Sequence, residues 1–357
     1  MKLTDRKWRA FNVTDIFDHI QRGKRLKNAD HIPGNWPYVS SSGLNNGVAD
    51  WIQSTDNSRV FGESISLANS GSVGTAFYEP FEYVASDHIT SFHLENGSKL
   101  VYLFMATCLE EQKHNFGFNR EVNEARLKRL RLMLPVNEQG KPDFKFMADY
   151  VRERLSQKRQ SCLDYVHDRL AELGTVQSLP AINSVDWTPF ALPKLFEFER
   201  GREKNMKKLV SGAVPLVSAK KINNGVKAFV GNPHKIITSG NTVTLNNDGD
   251  GGAGLAYYQP SDFALDTHVT ALHAKQKVSS YALQFIAASL SKQHELFGHG
   301  RSISLPRAKH LKVMLPTMSD GTPDYSYMDQ YVKNKMNQKY NHYLKYLNAS
   351  VIGSNKL

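Results

Sequence analysis

The stretch of the sequence that comes nearest to a chemical motif is the glycine-rich segment 248–254, Asp-Gly-Asp-Gly-Gly-Ala-Gly. A loop of this kind cradles phosphate groups when a lysine and a serine or threonine follow it and a helix begins there. Neither residue follows here, and the next residues, Leu255–Tyr258, have the aromatic character of a strand. The segment is therefore predicted to be a tight turn rather than a nucleotide site.

Other catalytic patterns do not occur in the sequence. It contains no Gly-x-Ser-x-Gly, no His-Glu-x-x-His and no Asn/Asp-Pro-Pro-Tyr/Phe methylation motif. The two cysteines, Cys108 and Cys162, are too few for a disulfide framework or a cysteine-rich zinc site. We therefore expect a chain with no catalytic site, no metal and no cofactor of its own.

The elements that would position any functional residue occur twice, because the sequence repeats itself at a spacing of 178 to 181 residues. The matches keep their order along the chain and span most of each copy. They include Trp8 with Trp187, Arg22-Gly23 with Arg200-Gly201, Asn45–Val48 with Asn223–Val226, His88 with His268, and Met133–Pro135 with Met314–Pro316.

Each copy begins with a part rich in Gly, Asn and Ser between short apolar runs, which is typical of a loop-rich mixed α/β body. Residues Ser64–Ala68 and Asn241–Leu245 are predicted strands, each leading into a glycine-rich turn. Leu100–Glu111 and Ser280–His294 are predicted helices.

The period of the apolar residues changes after Pro142-Asp143 and after Pro323-Asp324, to steps of three, four and seven. Such steps are typical of long amphipathic helices, and a stripe this narrow predicts a coiled-coil seam between the two. About 30 helical residues span roughly 45 Å. The predicted seam residues are Met147, Val151, Leu155, Cys162, Val166 and Leu170 with Met328, Val332, Met336, Tyr340, Tyr343 and Leu347.

The predicted fold is therefore mixed α/β, with two globular bodies related by a pseudo-twofold axis and joined by two long helices in an antiparallel coiled coil. The predicted boundaries are a first body over 1–142, a helix over 143–173, a linker over 174–186, a second body over 187–323, a helix over 324–349 and a tail over 350–357.

The charge of the chain favours a polyanionic partner. The net charge is +11, and residues 181–357 carry almost all of it, with 22 Lys and Arg against 12 Asp and Glu. The longest apolar runs, 100–109 and 281–290, reach about half the roughly 20 residues that a membrane span needs. We expect a soluble cytoplasmic protein without a membrane partner.

Basic loops follow the Arg-Gly pairs at corresponding positions of the two copies, and Ser, Asn and Lys follow them. These residue types bind phosphates and base edges of double-stranded DNA. The asparagines fit hairpin turns equally well. The predicted DNA contacts are Arg22, Lys24, Arg25, Lys27, Ser41, Ser42, Asn45, Asn46 and Arg120 in copy one, and Arg202, Lys204, Lys207, Lys208, Lys220, Lys221, Asn223, Asn224 and Arg301 in copy two.

Two histidines, His88 and His268, occupy matching positions, but Asp87 beside the first is replaced by Thr267 beside the second. A catalytic or metal-binding histidine needs partners that both copies retain. The pattern therefore favours a structural or hydrogen-bonding role, with DNA contact as the alternative.

The chain resembles the DNA-specificity subunits of type I restriction–modification systems and their type IIB relatives over nearly its whole length. The resemblance is carried by the duplicated Trp/Phe starts, by Pro37–Ser40 and Pro215–Ser218, by the glycine-rich turns before aromatic strands, and by Leu134-Pro135 and Leu315-Pro316. The segments 134–143 and 315–324 depart from the Pro-Pro-Leu-x-Glu-Gln common in type I subunits, so the choice between the two systems stays open.

This resemblance implies two target-recognition domains that read the halves of a split site, and a coiled coil that sets their spacing. It also implies methyltransferase subunits as partners, docked on the long helices and carrying S-adenosylmethionine, and a restriction or translocase subunit. Two alternatives remain: a scaffold or decoy of the same fold that binds these partners without reading sequence, and a duplicated enzyme, which would need a catalytic group in both copies.

Overall fold

The chain folds into two units, a first body of Met1–Cys162 and a second body of Leu163–Leu357, in this computed structural model. The structure describes residues 1–54, 57–117, 119–203, 208–233, 237–249, 252–298 and 300–354.

The first body is built from short strands, with one buried helix and the start of a long one. Its strands are β1 (Trp8–Asn12), β2 (His19–Arg22), β3 (Pro33–Val39), β4 (Val48–Ile52), β5 (Val60–Phe61), β6 (Ser64–Ala68), β7 (Ala76–Glu79), β8 (Tyr83–Ala85), β9 (Ile89–His93) and β10 (Arg131–Pro135). Its helices are α1 (Lys99–Glu110), α2 (Glu124–Leu127) and α3 (Phe144–Leu173), the last of which continues into the second body.

The second body repeats this order of elements. After α3 come β11 (Trp187–Ala191), α4 (Leu192–Leu195), β12 (Phe196–Arg200), β13 (Ser211–Val217), β14 (Val226–Val230), β15 (Thr242–Asn246), β16 (Ala256–Gln259), β17 (Ala264–Leu265), β18 (Val269–Ala274), α5 (Ser280–Ser291), α6 (Leu305–His310), β19 (Lys312–Pro316) and α7 (Tyr325–Ser354).

The sheets of the two bodies have matching topology. An antiparallel sheet in the order β2-β9-β6-β7 corresponds to β12-β18-β15-β16, and both lie against a helix, α1 or α5. In a second sheet the pair β3–β8, or β13–β17, is parallel. The first and last strands of each body pair with each other, so that Trp8 faces Pro135 and Trp187 faces Pro316. Each body is thereby closed on itself before its long helix begins.

The predicted local elements are confirmed with small shifts at their ends. The strand predicted over Ser64–Ala68 is β6, and the one predicted over Asn241–Leu245 lies one residue later, as β15. Both buried helices begin after a serine, Ser98 or Ser279, whose side chain accepts a backbone N–H of the first turn. The second of them ends at Ser291, three residues before the predicted end.

Four residues predicted for the coiled-coil seam lie instead in the cores of the bodies. Met147 and Met328 are fully buried among the core side chains of the first and second body, and Val151 and Val332 pack against the same clusters. Because each long helix begins soon after the closing strand of its body, with eight residues between them, its first turns cover that body's own apolar face. The prediction was wrong for these four residues.

The later turns of the long helices have a different environment. In the second body the rings of Tyr165 and Tyr340 lie 6.4 Å apart, and the Asn334 side chain donates to the carbonyl of Gln177 at 2.8 Å. The chain from the end of α3 therefore runs antiparallel to α7 over this stretch. A coiled coil along both whole helices stays a prediction, as do its seam residues Leu155, Cys162, Val166, Leu170, Met336, Tyr340, Tyr343 and Leu347. Helix α7 continues to Ser354, into the segment predicted as a tail from residue 350.

Candidate nucleic-acid interface

The basic loop after β2 is fixed at the edge of the first body by the turn between β8 and β9. Gly23 donates its backbone N–H to the carbonyl of Ile89 at 2.9 Å, and Lys24 donates to that of Ala85 at 3.1 Å. A Cβ on Gly23 would lie 2.1 Å from the carbonyl oxygen of Ser86, so the close approach requires glycine. The loop therefore leaves the sheet in a fixed direction. Its exposed basic side chains are those of Arg22, Lys24, Arg25 and Lys27.

The second body holds its own loop in the same way. Gly201 donates to the carbonyl of Val269 at 3.0 Å, and Arg202 donates to that of Leu265 at 3.1 Å. A Cβ on Gly201 would lie 1.7 Å from the carbonyl oxygen of Asp266. Arg202 and Lys208 are exposed. The predicted contacts Lys204 and Lys207 lie outside the described residues.

A sharp turn follows β3, because three successive residues adopt left-handed backbone conformations. Their φ angles are 51° at Asn45, 54° at Asn46 and 75° at Gly47. The Asn46 side chain points inward and donates to Oε2 of the buried Glu79 at 2.7 Å. Asn46 therefore supports the turn from inside, and its prediction as a DNA contact is corrected. Asn45 is exposed and stays a candidate.

The matching turn after β13 uses a different pair of side chains for the same purpose. The Asn224 amide donates to the carbonyl of Tyr258 at 2.7 Å, and the carbonyl of Asn224 accepts from Nε2 of Gln259 at 2.9 Å. Gln259 also donates to the hydroxyl of Thr244 at 3.2 Å. Asn223 and Asn224 are nevertheless both exposed, so both stay predicted DNA contacts.

Glu79 is the group of the interface scaffold whose ionisation is most perturbed. It exposes none of its surface, and burial raises the pKa of its carboxyl to about 7, although hydrogen bonds from Ser66 and Asn46 oppose the rise. Its counterpart Gln259 carries no charge. The first body therefore supports its Asn-Asn-Gly turn on a titratable group and the second body on a neutral one.

The glycine-rich turn of each body lies against the loop after β3 or β13. In the first body Ser72 donates its backbone N–H to the carbonyl of Ser41 at 3.2 Å. In the second, the Asn246 side chain donates to the carbonyl of Lys220 at 3.2 Å. The described residues 248–249 and 252–254 form turns and bends, as predicted.

The loops after β3 and β13 present different side chains at their tips. Ser41 is half-buried, and the Ser42 hydroxyl accepts from the backbone N–H of Leu44 at 3.1 Å, which shapes the loop. In the second body Lys220 is half-buried and Lys221 is exposed, and the carbonyl of Lys221 accepts from the hydroxyl of Tyr257 at 2.9 Å. Both loops are therefore anchored through backbone groups.

Asn69 links these segments and was missed by the sequence analysis. Its backbone N–H donates to the carbonyl of His88 at 2.8 Å, and its carbonyl accepts from Val122 at 3.0 Å. Val122 follows Arg120 by two residues, so the exposed Arg120 is tied to the same edge of the body.

Asn247 joins the corresponding segments in the second body. It donates to the carbonyl of His268 at 2.9 Å and accepts from Ile303 at 2.6 Å, two residues after the exposed Arg301. Among the described residues, Nδ2 of Asn69 and Nδ2 of Asn247 are both buried without a hydrogen-bond partner. The two asparagines match at a spacing of 178 immediately before the glycine-rich turns, and this repeat was the signal that could have found them.

Two of the cations at this edge are held by uncharged groups, since Arg22 donates to the carbonyl of Asp87 and Lys24 donates to Oδ1 of Asn57 at 2.9 Å. Within the described parts of the chain, none of the exposed basic candidates named above forms an ion pair with a carboxylate. In the first body a polar cleft of about 550 Å³ opens there, lined by Arg25, Lys27, Ser40 and His88 and also by the carboxylates Asp50 and Asp87. Unpaired cations beside hydroxyl, amide and imidazole groups suit phosphates and base edges.

Across the residues that the structure describes, no cluster of three or more His, Cys, Asp or Glu side chains is arranged to hold a metal ion. In the same residues, every helix is too short or too polar to cross a membrane.

Comparison with known proteins identifies the family. The model of the type I restriction modification DNA specificity domain matches the chain twice, over residues 5–162 and 184–345. The chain belongs to this family. Each match covers one of the two duplicated copies, so this specificity subunit has two DNA-specificity domains, whose role is DNA sequence recognition.

This specificity subunit is similar to two known proteins over most of its length. It is 23% identical over 347 residues to the specificity subunit of the BcgI type II restriction enzyme from Heyndrickxia coagulans, with 93% of this chain and 95% of the relative covered. Its fold is similar to the crystal structure of a type I restriction–modification S subunit from M. genitalium, with a TM-score of 0.55 and 17% identity over 100% of this chain and 96% of the other.

Proposed function

We propose that this specificity subunit reads a split, asymmetric site in double-stranded DNA, with one half contacted by each body. The methyltransferase subunits that modify the site assemble with it, and so does a restriction or translocase subunit. The chain itself has no catalytic role in this proposal. The methyl donor S-adenosylmethionine belongs on the methyltransferase, and no residue of this chain is assigned to it.

The observation that carries the proposal is that the same segments converge in both bodies while their side chains differ. In each body matching backbone hydrogen bonds join the basic loop and the arginine segment to the turn that carries the histidine and to Asn69 or Asn247. The loop after β3 is held by the backbone of Ser72, and the loop after β13 by the side chain of Asn246. At corresponding positions, however, Ser42 in the first body is replaced by Lys220 in the second. A common scaffold with different polar groups is what two different half-sites require.

The partner is proposed to dock on the exposed faces of the long helices. Their first turns are held by the bodies, through Met147 and Met328, so the position of each helix is fixed relative to the body from which it starts. A methyltransferase bound to such a helix would be placed at a set distance from the half-site that this body reads.

The proposal is tested by purifying the tagged chain with its partners from its native host and offering the complex random-sequence DNA. We expect a methyltransferase to co-purify and two short motifs separated by a spacer of fixed length to be enriched. A methyltransferase without any enriched sequence would instead indicate the scaffold. If neither partner nor enriched DNA were recovered, the proposal would be refuted.

The binding of DNA phosphates by the basic side chains is tested by the dependence of affinity on salt. If six to eight phosphates are neutralised, affinity falls roughly a thousandfold or more between 50 and 200 mM salt. Replacing Arg25 and Lys27 with alanine removes two of these cations, so the slope of log affinity against log salt becomes shallower by about 2. The matched control is Lys99→Ala, which removes an exposed lysine outside the interface and leaves the slope unchanged. An unaltered slope in the double variant would exclude this loop from phosphate binding.

A further inference from the structure

The two matching histidines have exposed imidazole rings that are held from one side. The side chain of His88 is 51% exposed and that of His268 is 58% exposed. Nδ1 of His88 lies 2.5 Å from the hydroxyl of Ser70, and Nδ1 of His268 lies 2.7 Å from Oδ1 of Asp248. Both partners belong to the glycine-rich turn, so this turn orients the ring in each body.

The backbone of each histidine is fixed as well. The carbonyl of His268 accepts from Asn247 at 2.9 Å, and its N–H donates to Oδ1 of Asp266 at 3.4 Å. In the first body the carbonyl of His88 accepts from Asn69, and its N–H donates to the Ser86 hydroxyl at 3.2 Å. A ring anchored at the backbone and at Nδ1 presents Nε2 in one direction, which base readout requires.

The partners of Nδ1 differ in chemistry between the bodies. An ionised carboxylate only accepts hydrogen bonds, so Asp248 requires the proton of a neutral His268 to sit on Nδ1. Nε2 of His268 is then left with a lone pair and is an acceptor. A hydroxyl both donates and accepts, so Ser70 leaves the tautomer of His88 open.

The carboxylate beside the histidine ring also lies at a different nitrogen in the two bodies. In the first body Asp87 lies beside the outer nitrogen, with its Oδ1 3.8 Å from Nε2 of His88. In the second body its position is taken by the uncharged Thr267, and the carboxylate is Asp248 on the inner side. Among the described residues, Asp248 contacts Nδ1 of His268 and Asp266 accepts from its backbone N–H.

His268 lies within the interface described above. A Cβ on Gly249, the residue after Asp248, would lie 3.0 Å from the carbonyl oxygen of Ala219, so this turn packs directly on the loop that carries Lys220. The turn before His268 holds the basic loop through the bond from Arg202 to Leu265. The ring therefore lies between two of the segments that carry cations.

We propose that His268 is a specificity-determining residue, whose Nε2 accepts a hydrogen bond from the exocyclic amino group of a base in the half-site of the second body. In the major groove, adenine N6 and cytosine N4 are donors, whereas thymine O4 and guanine O6 are acceptors. His268 thus favours an amino base over a keto base at one position of one strand. The inference rests on the proposed function, because it requires that the chain reads DNA.

The experiment compares the sites selected from random-sequence DNA at pH 8 by the assembled complex with the wild-type chain or with His268→Ala. We expect the variant to select the same first half-site and to lose a preference of roughly three- to tenfold for A or C at one position of the second. The matched control is His310→Ala, which removes another exposed histidine of the second body and keeps both halves.

Asp248→Asn tests the tautomer separately, because an amide donates to Nδ1 as readily as it accepts. We expect the same position to admit G or T in this variant. Nitrogen-15 spectra of the histidine side chains are expected to show Nδ1 protonated in wild-type His268 and a mixture of tautomers in Asp248→Asn.

The outcomes separate the two proposals. A wild-type complex that selects no sequence overturns the proposed function and this inference together. A wild-type complex that selects a split site whose second half is unchanged by His268→Ala overturns the inference alone, as does a neutral His268 protonated at Nε2.

Discussion

Replacing Glu79 with glutamine reproduces in the first body the arrangement that the second body already has at Gln259. The buried carboxyl accepts hydrogen bonds from Ser66 at 2.7 Å and from Asn46 at 2.7 Å. A glutamine can accept from Asn46 through its oxygen and donate to Ser66 through its nitrogen. The substitution therefore keeps the two contacts and removes the titration.

The magnitude follows from the pKa of Glu79, which burial raises from 4.5 to about 7. Between these values the folded protein retains a proton that the unfolded chain has lost, so the free energy of unfolding falls as the pH rises. Each unit of pH costs about 1.4 kcal/mol, and between pH 5 and pH 8 the loss amounts to about 2.5 kcal/mol. The contribution is fully present below about pH 4.5 and lost above about pH 7.

The assay is urea unfolding in a Trp187→Phe background, in which the remaining tryptophans, Trp8, Trp36 and Trp51, all report on the first body. The free energy of unfolding of Glu79→Gln minus that of wild type should rise by about 2.5 kcal/mol from pH 5 to pH 8. Other titrating groups cancel in this difference. A difference that stays constant within about 0.5 kcal/mol would refute the reasoning that the carboxyl is held in a low-dielectric site.

Two further substitutions test the scaffold of the interface. Asn46→Ala removes a donor to the buried Glu79 and is expected to lower the free energy of unfolding by about 1–3 kcal/mol. Asn45→Ala is the control, because its φ of 51° against 54° imposes the same backbone strain without the loss of that hydrogen bond. Equal urea midpoints for the two variants would contradict the inward role of Asn46. Gly23→Ala places a Cβ 2.1 Å from a carbonyl oxygen and is expected to lower the melting temperature of the first body, while Gly298→Ala, which meets nothing within 4 Å, leaves melting unchanged.

The local elements of the fold could be predicted from the sequence because their causes are local. The apolar runs place α1 and α5 within one residue at their starts, and Pro142-Asp143 places the start of α3. The Asp143 carboxylate accepts the backbone N–H of Phe146 at 2.9 Å, as a capping residue does. The duplication added a second, independent instance of each pattern.

The buried supports of the interface and the environment of the long helices depend on contacts between distant segments, which no spacing in the sequence reveals. Asn46 and Glu79 are 33 residues apart, and only the folded sheet shows that the Asn46 side chain donates its hydrogen bond to the buried carboxyl of Glu79. Met147 fits a coiled-coil stripe by spacing alone, yet the closing strand of the first body places it in the core. Exposed cations such as Arg25 were identifiable because charge and position in a loop are properties of the sequence itself.

The most direct test of one half-site per body exchanges matching residues of the two recognition loops. Ser42 and Lys220 occupy corresponding positions 178 residues apart. The sites selected from random-sequence DNA by the complex are compared for wild type, Ser42→Lys and Lys220→Ser. The account predicts that each variant alters one half of the split site and leaves the other intact, and that the two variants alter opposite halves. Changes in the same half, or in both halves at once, would contradict it.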